Sequence, residues 1–336
     1  MTDEKEMRQV LANTLAEIAN TDKRIVVLEA DLMGCHATKA FKEAHPDRFV
    51  NVGIAEANMI GIAAGMSAMG KIPFAYSFAP FATRRCYDTI FISVAYAKQH
   101  VKIVGSDPGI MAEANGGTHM PFEDMAIMRA IPNMVCFEPT DGAMLARAIP
   151  QIIDYPGAVY IRLFRKKPEH IFDDVPDFKL GKAITVKVGK DVTLVASGIM
   201  VEKALKAAEI LKEEGIDAGV LNIHTWKPID EEAIVNAVKK TGALVTCENH
   251  TLQGGLGSAV SEVVVSKCPA PVGMIGVNNT FGEVGKKEYL AEKFHLTVED
   301  VVNKAKETIA LKKYFLPRTT ANFADETVYL DLSGKL

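Results

Sequence analysis

Short runs of β-branched and aliphatic residues alternate along this chain with longer stretches whose apolar positions recur at helical spacing. The runs at 24–30, 71–76, 101–105, 134–138 and 158–163 are apolar on both faces, as strands buried between two layers are. Between them, 54–69, 82–99, 121–130 and 141–154 predict helices, and Asp141, after Pro139 and Thr140, is placed to cap the last of these. Such alternation predicts an α/β fold, a mainly parallel sheet covered by helices on both faces. From 165 to 190 charge and proline take over without a helical period, which reads as an interdomain connection. A second alternation follows. Strands at 191–197, 217–223, 243–248 and 272–276 are interleaved with helices at 201–214, 231–240, 255–265 and 298–311. The expected organisation is a first domain at 1–168, a linker at 169–190, a smaller α/β domain at 191–312 and a tail without clear period at 313–336.

Within this frame the helix at 54–69 stands out, because its only polar side chains are Glu56, Asn58 and Ser67. A carboxylate among small apolar residues is costly unless something pairs with it. An acid in a first helical turn often does no more than complement the helix dipole. The segment 74–84, FAYSFAPFATR, changes that reading. It brings Phe78 and Phe81 to the C-terminal end of a parallel strand, where α/β sheets bind ligands. A flat heteroaromatic ring could stack there with Glu56 at its edge. The strand at 101–105 then runs into a long polar, glycine-rich loop containing GSDPG at 105–109 and NGGTHMPFED at 115–124. Long loops at strand ends are uncommon and often functional. His119 and Glu123 are four residues apart, but with no third ligand nearby a metal site is not expected. Gly254-Gly255-Leu256-Gly257 lacks the third glycine of a dinucleotide fingerprint and reads as a tight strand-to-helix turn, with His250 beside it in a structural or subunit-contact role.

Composition narrows the function classes. With 336 residues the chain holds two ordinary domains, and a net charge of -4 gives no case for nucleic acid or an anionic membrane. No apolar run is long enough to span a bilayer, and the charged start, MTDEKEMRQV, has no secretory character, so a cytoplasmic location is expected. Five cysteines without C-x-x-C spacing read as reduced thiols.

Taken in order, PDRFVNVGIAE at 46–56, SFAPF at 77–81, GGTH at 116–119, FEDMA at 122–126 and IHTWKPID at 223–230 resemble the C-terminal half of transketolase, over nearly the whole chain to about residue 311. The resemblance implies a pyrimidine-binding domain followed by the transketolase C-terminal domain, with thiamine diphosphate as cofactor. In that likeness Glu56 hydrogen-bonds N1′ of the aminopyrimidine and Phe78 and Phe81 stack on or flank it. His119 lies in the substrate channel and hydrogen-bonds donor hydroxyls or assists proton transfer. Arg8 and Arg165, with Arg162 as a neighbour, bind the acceptor phosphate.

The chain has no G-D-G segment, by which relatives hold the diphosphate through a metal. The likeness therefore implies a separate diphosphate-binding subunit that mainly holds Mg2+ or Ca2+, an α2β2 assembly, and no metal ligand in this chain. The implied reaction is transfer of a two-carbon ketol unit from a ketose to an aldose.

Three positions depart from the family pattern. Asp107 stands where a histidine is usual, Asn115 where an aspartate is usual, and Cys35 where a small hydroxyl residue is usual; Glu113 falls in the same altered loop. These point to a branched, deoxy or otherwise modified sugar. The alternatives are a β-like subunit of a 2-oxoacid-decarboxylating enzyme, a half resembling 1-deoxyxylulose-5-phosphate synthase, and a non-catalytic regulatory subunit.

Overall fold

The structure, a computed structural model, describes residues 5–315. The tail expected at 313–336 lies outside the described residues from 316 onward.

The first sheet is built from β1 (Ile25–Glu29), β2 (Phe49–Asn51), β3 (Ile72–Phe78), β4 (Lys102–Ser106), β5 (Val135–Phe137) and β6 (Val159–Leu163). The second contains β7 (Ile184–Lys187), β8 (Val192–Ala196), β9 (Ala218–Asn222), β11 (Leu244–Thr251) and β12 (Val272–Val277), while β10 (Thr225–Lys227) joins the first. Their orders are β10-β5-β6-β4-β3-β1-β2 and β12-β11-β8-β9-β7. All pairings are parallel except β10 on β5 and β7 on β9.

The two-residue period of β1 shows why both faces are covered. Val26 and Leu28 pack with Met59, Ile60 and Ala63 of the helix Glu56–Ala68. Ile25 and Val27 pack with Leu11, Leu145 and Ile149 of the helices Met7–Ile18 and Gly142–Asp154. Asp141 caps the latter helix by accepting from Met144 N at 2.9 Å. Its other oxygen accepts from Ile171 N and Phe172 N at 3.2 and 2.8 Å, which ties the start of the connection to the first domain.

Three elements differ from the sequence expectation. The helix expected at 82–99 is broken into a short helix at Ala79–Ala82, a 3-10 turn at Arg84–Cys86, an α-helical turn at Tyr87–Thr89 and a π-helix at Ile90–Tyr96. Local side chains take its carbonyls: Thr83 Oγ1 donates to Ala79 O at 2.6 Å and Cys86 Sγ to Phe81 O at 3.0 Å. The linker expected at 169–190 is not free of structure, since β7 lies within it as an antiparallel edge strand on β9. β10 crosses back to the first sheet. Trp226 is buried there with its indole N–H on Ser197 Oγ at 2.8 Å, and Lys227 Nζ caps the carbonyls of Arg129 and Ile131 at 2.7 Å each. All five cysteines are free thiols, and among the described residues no helix is long and apolar enough to cross a membrane.

Arg162, expected at the substrate, is instead part of the seam between the sheets. Its side chain is fully buried. Nε and Nη2 fork onto Asp124 at 2.8 and 3.1 Å, Nη1 meets Glu138 at 2.5 Å, and Nη2 also donates to Asn249 O of β11 at 2.8 Å. With every guanidinium nitrogen engaged and none exposed, it cannot reach a substrate. Breaking such a cluster strands two buried carboxylates. Arg162→Ala is therefore expected to cost about 3–5 kcal/mol of stability in urea unfolding of the isolated chain. An unchanged unfolding midpoint with only a raised KM would return Arg162 to the substrate.

Candidate active site

The C-terminal ends of β1, β3, β4 and β6 converge, and the candidate residues gather above them. Glu56 opens its helix and is only 3% exposed. Its carboxylate lies 2.8 Å from Arg85 Nη1 and 3.4 Å from Ser77 Oγ. Arg85 stacks its guanidinium 3.8 Å from the centre of the Phe81 ring. From there the aromatic contacts continue. Phe81 meets His119 edge-on at 4.9 Å, His119 meets Phe78 at 5.4 Å, and Phe78 carries the Arg165 guanidinium at 5.2 Å. Glu56, Arg85, Phe81, His119, Phe78 and Arg165 are therefore one contiguous run of contacts although they come from four separate parts of the chain.

The far end of the run holds the other expected residues. Arg165 pairs with Asp107, which is buried just past β4. Burial pushes the Asp107 carboxyl above its usual range, and the Arg165 charge acts against this. Arg8 donates to Cys35 O at 2.9 Å, and its backbone N–H donates to Arg165 O at 3.3 Å, so Arg8, Cys35 and Arg165 sit together. Asn115 is exposed on the same loop as His119, and Glu113 pairs with Lys166 at 2.8 Å. The second domain braces this loop. Asn249 accepts from Ile110 N at 3.0 Å and donates to Pro108 O at 3.1 Å. Gly109 has φ +56 here, and a Cβ on it would lie 2.3 Å from Asn249 Oδ1, so only glycine admits this approach.

Other candidates resolve into structural partners. Glu123 binds Arg84 Nη1 at 2.7 Å and Phe122 N at 2.9 Å. At the glycine-rich turn, Glu248 accepts from Leu256 N and Gly257 N at 2.6 and 2.8 Å. This chain's own carboxylate fills the helix N-terminus that a phosphate would need. His250 is fully buried, and burial lowers its pKa to about 4, so it is a neutral acceptor for Ala126 N at 3.3 Å.

Two groups near the site escaped the sequence reading. Arg85 could have been found, because a lone carboxylate in an apolar helix demands a cation and Arg84-Arg85 follows the aromatic segment. The buried trio of His36, Glu29 and Ser106 has no local signal. His36 Nδ1 lies 3.0 Å from Glu29 and Nε2 2.9 Å from Ser106 Oγ, and its ring packs 6.0 Å from Phe78, yet the three residues come from separate elements.

Comparison with known proteins adds an independent line. The pyrimidine-binding domain of transketolase matches residues 3–169, and the transketolase C-terminal domain matches 181–301. A 6-deoxy-6-sulfo-D-fructose transketolase subunit, SqwH, of a Clostridium species is 52% identical over 312 residues, covering 93% of this chain and 97% of its own. A putative transketolase C-terminal section of Methanocaldococcus jannaschii is 42% identical, over 90% of this chain and 96% of its own. A solved structure described as split gene transketolase, inactive β4 tetramer, is similar with TM-score 0.86 at 43% identity, covering 92% of this chain and 99% of that one.

His119 provides a direct check of the site's electrostatics. Desolvation, and then the Arg85 charge, lower its pKa below the ordinary 6.5. Arg85→Gln removes a cation facing the ring, so the His119 pKa should rise in an NMR titration of the isolated chain. A pKa that stays put or falls would show that Arg85 does not act on His119.

Proposed function

The chain belongs to the transketolase family, carrying its pyrimidine-binding and C-terminal domains, and from this we propose that Glu56, Phe78, Phe81 and His119 form its half of a ketol-transfer site completed by a separate diphosphate-binding subunit. The observation that carries this reading is Glu56 itself. It is a nearly buried carboxylate at a helix start, flanked by an aromatic face, whose partner Arg85 is 44% exposed and free to exchange. This donor set fits the edge of an aminopyrimidine. When bound, thiamine diphosphate supplies the nucleophilic carbon and the electron sink for breaking and making the bond beside a ketone. Glu56 holds the proton at the pyrimidine N1′ and orients the ring. Phe81 and Phe78 flank it and exclude water. His119, its pKa lowered by desolvation, accepts or donates a proton at the sugar hydroxyls. Arg165 and Arg8, beside Cys35, Asp107 and Asn115, receive the far end of the sugar.

The partner subunit is supported by length. This chain spans 97% and 96% of two relatives that are named as a transketolase subunit and a transketolase C-terminal section, and a similar chain is described as an inactive β4 tetramer. The functional assembly in this reading is α2β2, with Mg2+ or Ca2+ held mainly by the partner. The substrate proposal is a six-carbon ketose with a modified terminus, of the class named for the SqwH relative.

Glu56→Gln keeps the shape and removes the carboxylate. In the complex reconstituted with its partner, two-carbon transfer should fall by about a hundredfold or more, the scale of one general acid–base contribution, with assembly unchanged. Near-normal turnover would reject Glu56 as the cofactor contact.

A further inference from the structure

Three cations rim the far end of the site, and each already has a carboxylate. Arg8 pairs with Glu6 at 2.6 Å, Lys166 with Glu113 at 2.8 Å, and Arg165 with Asp107. These pairs are not equivalent. The side chains of Glu6 and Glu113 are 35% and 25% exposed and can turn outward, whereas that of Asp107 is 3% exposed. Asp107 is also held by its backbone. Its N–H donates to Leu163 O at 2.9 Å, its φ is +53, and its Oδ1 accepts from Arg165 N at 3.3 Å. Its carboxylate therefore cannot turn away from the subsite as those of Glu6 and Glu113 can, and the unit it forms with Arg165 is neutral overall.

We infer that Asp107 is a specificity-determining residue that makes this subsite select a singly charged terminal anion, a sulfonate, over a doubly charged phosphate. The inference rests on the ketol-transfer reading above and adds the residue and the physical cause of the choice. Coulomb repulsion scales with charge, so a fixed carboxylate opposes a phosphate dianion about twice as strongly as a sulfonate monoanion at the same distance. The Arg165 guanidinium attracts a dianion more strongly by the same factor, and the fixed carboxylate cancels that advantage. What remains is the hydrogen-bonding fork of Arg165, which serves either anion. Asp107 meets it at Nε, and among the described residues none takes the Nη nitrogens, which can donate to two oxygens of one tetrahedral group. Sulfonate and phosphate groups have nearly the same shape, so shape alone separates them poorly and charge is the available discriminator.

The test uses the complex reconstituted with its partner at one pH above the second phosphate ionisation, near 7.5, where that group carries close to two charges. The donors are 6-deoxy-6-sulfo-D-fructose and D-fructose 6-phosphate. In the wild type, kcat/KM should favour the sulfonate by about tenfold or more. Asp107→Asn should move the ratio toward the phosphate by about tenfold, mainly through a lower KM for the phosphate. A wild-type preference for the phosphate would overturn the inference without recourse to any variant. So would Asp107→Asn lowering both substrates equally, which is what a merely structural role predicts. Absence of transfer from any ketose by the wild-type complex would instead overturn the functional reading and this inference with it.

Discussion

The site depends on burying one carboxylate without stranding it. Glu56 sits at the start of a helix whose neighbours are alanine, isoleucine and methionine, so little around it can solvate a charge. Three things offset the cost: the amide dipoles of the helix N-terminus, the Ser77 hydroxyl and the Arg85 guanidinium. Only Arg85 is on the open side. It is held over Phe81, and Phe81 in turn touches His119. The position of one buried charge thus fixes the aromatic floor and the histidine above it. Replacing a neighbour in that floor would disturb a pairing as well as a packing contact.

The second domain contributes no chemistry to this floor, but it sets the height of the walls. Arg162 links β6 to Asp124, to Glu138 and to the backbone of β11, while β10 adds a strand from the later part of the chain to the first sheet. Asn249, two residues before the end of β11, then holds the 108–110 backbone from below. The loop carrying Asp107, Asn115 and His119 is therefore anchored at its base by the interface and left open at its crest. Asp107 lies at that rigid base, held by its bonds to Leu163 O and Arg165 N.

Much of this was legible in the sequence. The parallel strands read as continuous apolar runs because helices cover both faces, and the helix at 56–68 stood out by its lone acid. Resemblance supplied what periodicity could not, the grouping of Glu56, Phe78, Phe81 and His119. The failures have a common cause. β7, β10 and the break after Ala82 are short elements decided by tertiary pairing or by a side chain taking a backbone carbonyl, and neither leaves a periodic trace. Arg162 failed differently. It lies three residues before Arg165, on a strand in which alternate positions face opposite sides. Arg162 is within β6 and is drawn into the domain seam, whereas Arg165 is beyond its end and faces the opening. The boundary of a three-dimensional element, which sequence fixes least well, decided which arginine was sealed in the seam and which was left beside the aromatic run.

Exposure separates the two kinds of ion pair in this molecule and explains what each can do. Arg162 with Asp124 and Glu138 is sealed on every side, so exchanging any partner would leave a bare charge in a dry interior, and the cluster can only be structural. Glu56 with Arg85 is sealed on one side only. The carboxylate is already dehydrated, while the arginine is half in water and loses little by returning to it. A polar group arriving at Glu56 would displace a partner whose release is cheap, onto a carboxylate whose desolvation was met during folding. Asp107 and Arg165 repeat the asymmetry in the same sense: the acid is fixed and the base retains some exposure. At both ends of the contact run the buried member is a carboxylate and the more exposed member is an arginine, so each buried charge has its partner on the open side.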